Sequence, residues 1–279
     1  MNYSVLFLCI AGLLLPIQAV QNPVEKAKLD ADAMVCEPEN TTFIPGEELT
    51  YRLYYNMSFI WVAAGEVVFK VEDAGENYKI TARGRTYSAY EWFFKANDYF
   101  ESYVNKSTLK PVSFQREIKE NKYRFYEKIE FDRQANTLKN WVGKTADSAK
   151  VKVYNADDCV RDVLAIIYAV RVQNFESMPS GSKLPLHVFL DNKAYDLKLK
   201  YYGIMEDKRI HGMGKQKAIH LSPELIAGET FNADAKMHIW ASADQNKIPL
   251  LIESPVSVGS IKAVLVNQKG LKYPFKANQ

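Results

Sequence analysis

Four histidines are the side chains in this sequence best suited to metal binding or to proton transfer near neutral pH. No two of them are four residues apart, the spacing that brings two ligands onto one helical turn, and no pair of cysteines stands beside them. Three of them alternate with apolar residues in predicted strands, which indicates side chains that face solvent or form a hydrogen bond. The sequence therefore predicts no metal site from His187, His211, His220 and His238.

Other short motifs give little support to catalysis. No serine lies in the Gly-x-Ser-x-Gly pattern of hydrolases, and Gly143-Lys144-Thr145 lacks the earlier glycine of a phosphate-binding loop. The carboxylates of Asp157, Asp158 and Asp162 lie at the start of a predicted helix, whose N-terminus stabilises acids without any reaction. An enzyme built from scattered polar residues is therefore the least favoured function for this sequence. Its candidate residues are His238, Asp244 and Glu253.

Aromatic residues are concentrated in two segments. Five of the eleven residues from Tyr51 to Trp61 are aromatic, as are seven of the fourteen from Tyr87 to Phe100. If the first three strands form an antiparallel meander, the connections at 57–64 and 87–95 emerge on the same edge of the sheet. This apolar rim either plugs the core at that edge, or forms the mouth of an apolar cavity or touches a membrane. The residues expected at the cavity or its mouth are Tyr55, Phe59, Trp61, Trp92, Phe93, Phe94, Ile166 and Tyr168.

Strands must position most of these residues. Leu49, Tyr51 and Leu53 alternate with polar residues, the pattern of a half-buried strand, and similar patterns recur along the chain. The predicted number, about a dozen, is too large for a flat twisted sheet, so the sheet should curl or split into two layers. Near the C-terminus, Ser242 and Asp244 stand where a strand passes into a turn, and Asp244 is expected to brace that turn.

One helix interrupts the strands, at about residues 158–171. Its apolar positions follow helical spacing from Val160 to Tyr168, but the opposite side is apolar as well, at Ala165, Ile166, Ala169 and Val170. A helix that is apolar on most sides is buried on most sides. We therefore expect it to lie against a concave sheet, with capping side chains supplied by residues 155–158.

The first residues predict export. Val5 to Leu15 is an apolar stretch followed by an acceptable cleavage site after Ala19, although no Lys or Arg precedes it, and a short membrane anchor is the rival interpretation. We expect a leader at 1–19, an N-terminal arm at 20–42, a single β domain at 43–268 and a C-terminal tail at 269–279. The formal net charge of +3 is scattered along the strands, which argues against nucleic-acid binding.

Two cysteines, Cys36 and Cys159, follow the predicted leader. In an oxidising compartment such a pair can form a disulfide, which would join the arm to the start of the helix. The alternative is two unpaired, half-buried thiols. The sequence leaves both open.

Four motifs, taken in order, carry a family resemblance. They are Pro45-Gly46-Glu47-Glu48-Leu49-Thr50-Tyr51, Ala64-Gly65-Glu66, the segment from Asp162 to Arg171, and Trp240-Ala241-Ser242-Ala243-Asp244 with the Pro249 and Gly259 that follow. From about Phe43 to Val266 the chain resembles the exported bacterial family known as domain of unknown function 3108, and is most like its Bacteroides members. The resemblance implies a mainly β fold, a long antiparallel sheet curled into a half-barrel around one helix.

That implied fold is similar to the outer-membrane lipoprotein carriers, whose concave face holds acyl chains. The favoured function is a non-enzymatic periplasmic protein of the cell envelope, soluble after leader cleavage. It would hold an apolar small molecule or lipid, such as an acyl chain or part of a lipoprotein, between sheet and helix. The alternative is an interaction module of envelope biogenesis, with its groove filled by its own helix, that binds an envelope protein. Peripheral membrane contact is compatible with both, and no cofactor is expected.

Overall fold

The computed structural model describes residues 36, 38–57, 60–225, 235–256 and 259–275, and for Met57 the backbone alone. The predicted leader, most of the arm and Phe59 lie outside these residues. The described residues form fourteen strands: β1 (Glu48–Met57), β2 (Ile60–Ala74), β3 (Asn77–Thr86), β4 (Asn97–Asn105), β5 (Pro111–Glu120), β6 (Tyr123–Asp132), β7 (Thr137–Gly143), β8 (Lys150–Asn155), β9 (Lys183–Leu190), β10 (Lys193–Ile210), β11 (Gly214–Pro223), β12 (His238–Ser242), β13 (Pro249–Pro255) and β14 (Ser260–Lys269).

All fourteen strands belong to one antiparallel sheet, in the order β8-β7-β6-β5-β4-β3-β2-β1-β14-β13-β12-β11-β10-β9. The first and last strands are neighbours in its middle, with Glu48 opposite Lys269. The sheet curls without closing into a barrel. Its two end strands approach each other. The ring centres of Tyr154 in β8 and Phe189 in β9 are 5.2 Å apart. The predicted antiparallel half-barrel with an enclosed helix is confirmed.

The enclosed helix, α1 (Val163–Arg171), has seven of its nine residues buried. Both of its sides are apolar, and both are covered, as predicted. The Asp162 carboxylate caps it by accepting hydrogen bonds from the N–H groups of Leu164 and Ala165 at 2.8 and 2.9 Å. No helix in the described ranges has the length and apolar composition needed to cross a bilayer.

The helix begins at Val163, not at 158, and the expected caps at 155–158 are wrong. The cause is a long-range pairing that local sequence does not show. The segment before the helix is extended, and its Arg161 pairs in parallel with β9. Arg161 N–H donates to the His187 carbonyl, and Phe189 N–H donates to the Arg161 carbonyl, each at 2.9 Å. These bonds hold the backbone out of a helical conformation until Asp162.

Two strand predictions also differ from the structure. β2 starts at Ile60, so most of the connection expected at 57–64 is strand. Separate runs of alternating residues at 195–202 and 205–210 indicate two strands, but both belong to the single strand β10, whose register against β11 shifts between Tyr201 and Gly203 and again after Met205. Gly203 has a φ of +109°, a conformation that glycine adopts readily. Such bulges break the alternation of apolar residues, so one strand looks like two.

The connections between strands alternate between two edges of the sheet. The aromatic edge is where β1, β3, β5 and β11 end and where β2, β4, β6 and β12 begin, and the turn edge carries the β2–β3, β4–β5 and β12–β13 turns. Tyr87 N–H donates to the Ala64 carbonyl at 2.9 Å, which places the second aromatic segment beside the first. The predicted meander of the first three strands, with both aromatic connections on one edge, is confirmed.

Candidate functional site

A cavity of about 160 Å³ lies between α1 and the concave face of strands β9–β13, with β1 and β2 along one side. We call it the helix cavity. Most of its lining side chains are aliphatic, and three are charged: Arg171, Glu224 and Lys247. A pocket with mainly carbon lining and a few polar groups is typical of sites that bind apolar ligands.

Strand register explains why the lining is apolar. Leu221 of β11, Ile239 of β12 and Ile252 of β13 lie opposite one another in successive strands, so they share the concave face. From the helix, Ile166, Ile167 and Val170 face them across the cavity. The side chains between these positions, such as His238 and Glu253, lie on the convex face.

A buried ion pair closes the cavity at the C-terminal end of α1. The Arg171 guanidinium donates to both carboxylate oxygens of Glu47, at 2.6 and 2.8 Å, and to the Asn246 carbonyl at 3.0 Å. Burial acts to lower the pKa of Arg171, but Glu47 outweighs it and the pKa is raised. Burial, reinforced by Glu47, raises the pKa of Tyr168 well above its usual value. Glu47 is 124 residues from Arg171 in sequence, so no local pattern indicates this ion pair.

The β12–β13 turn places Lys247 at the same end of the cavity. The Asp244 carboxylate accepts hydrogen bonds from the Ser242 hydroxyl at 2.6 Å and from the N–H groups of Asn246 and Lys247 at 3.0 and 3.2 Å. The Ser242 hydroxyl in turn accepts from Ile248 N–H at 3.0 Å. Asp244 therefore braces the turn, in agreement with its expected structural role. Lys247 was not among the predicted site residues.

The eight predicted cavity or mouth residues separate into two groups. Ile166 and Tyr168 line the helix cavity. Five others lie at or near the aromatic edge and do not line it, and Phe59 is outside the described residues. The cavity lies over the middle of the strands, whereas aromatic density marks the strand ends, so these five side chains are not part of its lining: Tyr55, Trp61, Trp92, Phe93 and Phe94.

Several large apolar side chains on the aromatic edge are exposed. Ile60 is 69% exposed, Trp92 83% and Phe93 60%, and Trp61 lies under the Lys262 ammonium at 4.2 Å from its ring centre. Phe94 is only half-buried but packs against the core. The plug interpretation therefore fits Phe94 and Tyr55, which both pack against the core, whereas it does not fit Ile60, Trp92 and Phe93.

The polar residues proposed for catalysis do not form one site. His238 and Glu253 are opposite each other in neighbouring strands on the convex face, and Asp244 is in the β12–β13 turn. His238 is hydrogen-bonded to His220 at 3.0 Å, and burial is the main cause that lowers the pKa of His220 to about 4. Within the described residues, no group of three or more His, Cys, Asp or Glu side chains could hold a metal ion.

A buried polar cluster occupies another part of the interior, between β5–β7 and the β9–β10 turn. Arg116 pairs with Glu127 at 2.6 Å and with Asp191 of the turn. Asn140 donates to Glu127 at 2.9 Å and to Asn192 at 3.3 Å. Glu127 and Asn140 are fully buried. We call these five residues the polar cluster; it joins the two ends of the curled sheet by charge and hydrogen bonds.

A disulfide joins Cys36 to Cys159, residues 123 apart in sequence. Arg161, which is 1% exposed, donates to the carbonyl groups of both cysteines, at 2.6 Å for Cys36 and 3.1 Å for Cys159. Burial, together with nearby Arg133, lowers the pKa of Arg161 to about 10. The described end of the arm is therefore fixed to the segment that leads into α1.

Two glycines of the family motifs, Gly46 and Gly259, have backbone conformations that other residues rarely adopt. A side chain at Gly259, which has a φ of +85°, would place its Cβ 2.3 Å from the Asn56 carbonyl oxygen. The β13–β14 turn can therefore contact the end of β1 only because this residue lacks a Cβ. Gly46 also has a positive φ, of +98°, directly before Glu47. Gly65 lies in β2 and Trp240 in β12, and Pro249 begins β13.

Comparisons with known proteins agree on the family and the fold. The family described as "Protein of unknown function (DUF3108)" matches residues 50–266, and the chain belongs to this family. Among solved structures, the chain is similar to a β-barrel-like protein of domain of unknown function DUF1849 from Brucella abortus. The TM-score is 0.57 at 7% identity, with 82% of this chain and 98% of that chain covered. At this identity the likeness shows the fold alone.

Two weaker structural similarities have TM-scores below one half. A hypothetical protein from Chlamydia trachomatis gives 0.34 at 9% identity, covering 85% of this chain and 94% of that one. An exported protein with a YmcC-like fold from Bacteroides fragilis gives 0.33 at 12% identity, covering 82% and 100%. A search of curated proteins found no match.

Proposed function

We propose that this member of the DUF3108 family is a non-enzymatic binding protein of the periplasm that holds an apolar ligand in the helix cavity. The ligand class is a lipid, an acyl chain or the acyl part of a lipoprotein. The observation that carries the proposal is the cavity itself, about 160 Å³ beside α1 with a mainly aliphatic lining. Dry apolar cavities of similar size bind apolar molecules, because no water is held there by polar partners.

The cavity also favours this function over the alternative of an interaction module. In that alternative α1 would fill the groove of the sheet completely. Instead Ile166, Ile167 and Val170 on the helix face open space in front of Leu221 and Ile239. Native packing normally leaves few voids, because each one forfeits dispersion contacts on its lining. A retained void of this size is better explained by an occupant than by a failure to pack.

Native mass spectrometry of the gently purified protein tests the proposal. We expect a bound species with the mass of a lipid or fatty acid. In Val170→Trp the new ring projects from a cavity-lining position and should displace the ligand. Val172→Trp, two residues further at a half-buried position outside the lining, is the matched control and should retain it. A ligand-free wild type that takes up no added lipid would overturn the proposal.

A second function, docking on a lipid bilayer, is favoured by the aromatic edge. Trp92 and Phe93 are largely exposed, and basic residues lie near them: Lys95, which pairs with Glu91 at 2.7 Å, follows, and Lys122 of the neighbouring β5–β6 turn and Arg124 at the start of β6 are exposed. Asn121 N–H of that turn donates to the Lys95 carbonyl at 2.8 Å, so the two connections lie together. Exposed aromatic rings beside basic residues are typical of surfaces that bind anionic lipid interfaces.

Sedimentation with vesicles tests this second function. The protein should sediment with phosphatidylglycerol vesicles, and Trp92→Ala with Phe93→Ala should reduce the bound fraction several-fold. Val151→Ala with Val153→Ala changes two other exposed apolar residues, on β8, and should leave it unchanged. Equal sedimentation of both double variants would contradict bilayer docking, and so would a wild-type protein that does not sediment with the vesicles. If the wild type does not sediment, crosslinking to one envelope protein would identify the aromatic edge as a protein contact.

A further inference from the structure

The two ends of the helix cavity differ in charge. Lys247 and the Arg171–Glu47 pair lie at the end next to the β12–β13 turn, and Glu224 lies at the other end, just after β11. Strand β12 runs between these ends with five residues, or about 17 Å at the usual rise of a β-strand. The cavity is therefore oriented along the strands, with Lys247 and a neutral ion pair at one end and Glu224 at the other.

Arg171 has little capacity for an additional anion. Its guanidinium donates to both oxygens of Glu47, and both residues are buried, with 4% and 1% exposure. This pair is neutral as a unit, and the attraction of Glu47 for Arg171 is strengthened by the low local dielectric constant. An anion at this end of the cavity must find its charge partner elsewhere.

Lys247 is the cation that has no such partner. It forms no salt bridge with an acid in the described part of the chain, although it is half-buried and lines the cavity. The nearby Asp244 carboxylate already accepts hydrogen bonds from Ser242, Asn246 and the Lys247 backbone. Glu176, the other nearby acid, is exposed. Burial is the main cause that lowers the pKa of Lys247, so a close anion would stabilise its charged form.

The β12–β13 turn also fixes the backbone position from which the Lys247 side chain extends. Its backbone has a φ of +46°, a left-handed conformation held by the hydrogen bond from its N–H to Asp244. Asn246 next to it is tied on both sides, since its carbonyl accepts from Arg171 and its side chain donates to Tyr273 carbonyl at 3.1 Å. A cation mounted on a rigid turn at the end of an aliphatic cavity can bind a head group without much ordering cost.

We propose that the ligand of the helix cavity is an anionic amphiphile, whose acid group pairs with Lys247 while its hydrocarbon chain lies between α1 and strands β11–β13. This inference rests on the proposed function and narrows it from apolar molecules in general to acyl chains that carry a negative head group. A free fatty acid and an anionic lysophospholipid share this chemistry. A neutral ester of the same chain lacks it.

Binding of a matched set of ligands tests the inference. Oleate, methyl oleate and oleoyl lysophosphatidylglycerol are titrated into delipidated protein by isothermal calorimetry, each below its micelle concentration. We expect wild type to bind at least one of the two anions about tenfold more tightly than methyl oleate, since hydrogen bonds to charged groups are the stronger ones. Which anion binds more tightly distinguishes the fatty acid from the phospholipid as the source.

Three variants locate the effect. Lys247→Gln should reduce the affinity for the anion to that for methyl oleate. Lys247→Arg keeps the positive charge and should retain the preference for the anion over the ester. Lys272→Gln removes an exposed cation on the same edge of the sheet and should change nothing. Equal binding of anions and ester by wild type, or an unchanged preference in Lys247→Gln, would overturn the inference while the proposed function stands. If none of the three ligands binds, the proposed function itself fails.

Discussion

The polar cluster and the helix cavity are two solutions for the interior of one curled sheet. In the cluster, Arg116 is held by Glu127 and Asp191, and hydrogen bonds link it through Asn140 to Asn192. In the cavity, aliphatic side chains of the helix and of the sheet face one another. The same alternation of inward and outward residues produces both, so the fold does not decide what the interior holds. The residue types at the inward positions decide it.

The difference has a physical consequence for binding. Buried charges are stable only when partners meet them with good geometry, so the polar cluster tolerates one arrangement. Aliphatic contacts are weak individually and have no directional requirement, so the cavity can accept chains of differing length and shape. The cluster is therefore expected to determine stability, and the cavity is expected to determine ligand binding. Substitutions in the cluster, in the cavity lining and outside both regions test this separation of stability from ligand binding.

The largest effect is expected from Arg116→Met. It leaves the fully buried Glu127 and the partly buried Asp191 without their cation, which should lower the free energy of unfolding by about 3–5 kcal/mol. Urea denaturation followed by circular dichroism measures it. Arg124→Met removes an exposed arginine that donates only to nearby carbonyl groups, and should change stability by less than about 0.5 kcal/mol. Similar losses for both variants would contradict a structural role for the cluster.

The second-largest loss of stability is expected on removal of the disulfide. Cys159→Ser opens a loop of 123 residues between the arm and the entry to α1, and the expected loss is about 2–5 kcal/mol of unfolding free energy. Because the bond lies outside both regions, it should weaken the whole domain while leaving ligand stoichiometry unchanged. Denaturation of the wild type with and without reducing agent gives the same comparison. A reduced wild type as stable as the oxidised form would contradict this expectation.

Asp162 should give a pH-dependent effect of intermediate size. Burial raises the pKa of its carboxyl group from 3.8 to about 6 in the folded protein, so the folded state binds this proton more tightly than the unfolded state. Stability from this group is therefore present at low pH and is lost as the pH rises through about 6. Between about pH 7.5 and about pH 5, wild type should gain about 1.4 kcal/mol relative to Asp162→Asn.

The comparison with Asp162→Asn is needed because two histidines act in the opposite direction. Burial lowers the pKa values of His220 and His238, so acidification through the usual histidine range destabilises the fold through them. Wild type and Asp162→Asn share these histidines, and the difference between their unfolding free energies removes the contribution. A difference that does not change with pH would show that Asp162 titrates at its ordinary value.

The smallest effect on stability is expected in the cavity lining. Ile252→Met conserves volume and apolar character and should cost less than about 1.5 kcal/mol. Because methionine is flexible, the cavity should still hold an apolar ligand, as measured by native mass spectrometry. Loss of the ligand in this variant would mean that the lining is shape-specific, and the contrast with the polar cluster would then be weaker than proposed.

The fold was predictable from local patterns because those patterns are repeated. Alternation at Leu49, Tyr51 and Leu53 identifies β1, and apolar residues on both sides of α1 predict its burial. The start of α1 was not predictable, since Asp157, Asp158 and Asp162 are all good capping residues and only the pairing of Arg161 with β9 selects the last. Such pairings join residues distant in sequence and leave no periodic signal.

The candidate site was predictable only in part. Ile166 and Tyr168 were identified because they belong to the buried helix, but aromatic density pointed to the exposed edge instead of the cavity. Lys247 carries no sequence signal of its own, because single lysines are ordinary on protein surfaces. The available signal was the Ser242-x-Asp244 pattern, which marks a braced turn and hence a fixed position for the residues that follow it.

The pairing of β1 with β14 has a consequence for how the chain folds during synthesis. Glu48 and Lys269 belong to the first and last of the fourteen described strands, so they are made far apart in time, yet they are directly opposite in the sheet. Until β14 emerges, β1 and β13 each expose an unpaired edge, the kind of surface that recruits other chains. Contacts between such distant residues also slow folding. Deleting β14 should therefore yield two unjoined half-sheets prone to aggregation, so the last of the fourteen described strands completes the sheet.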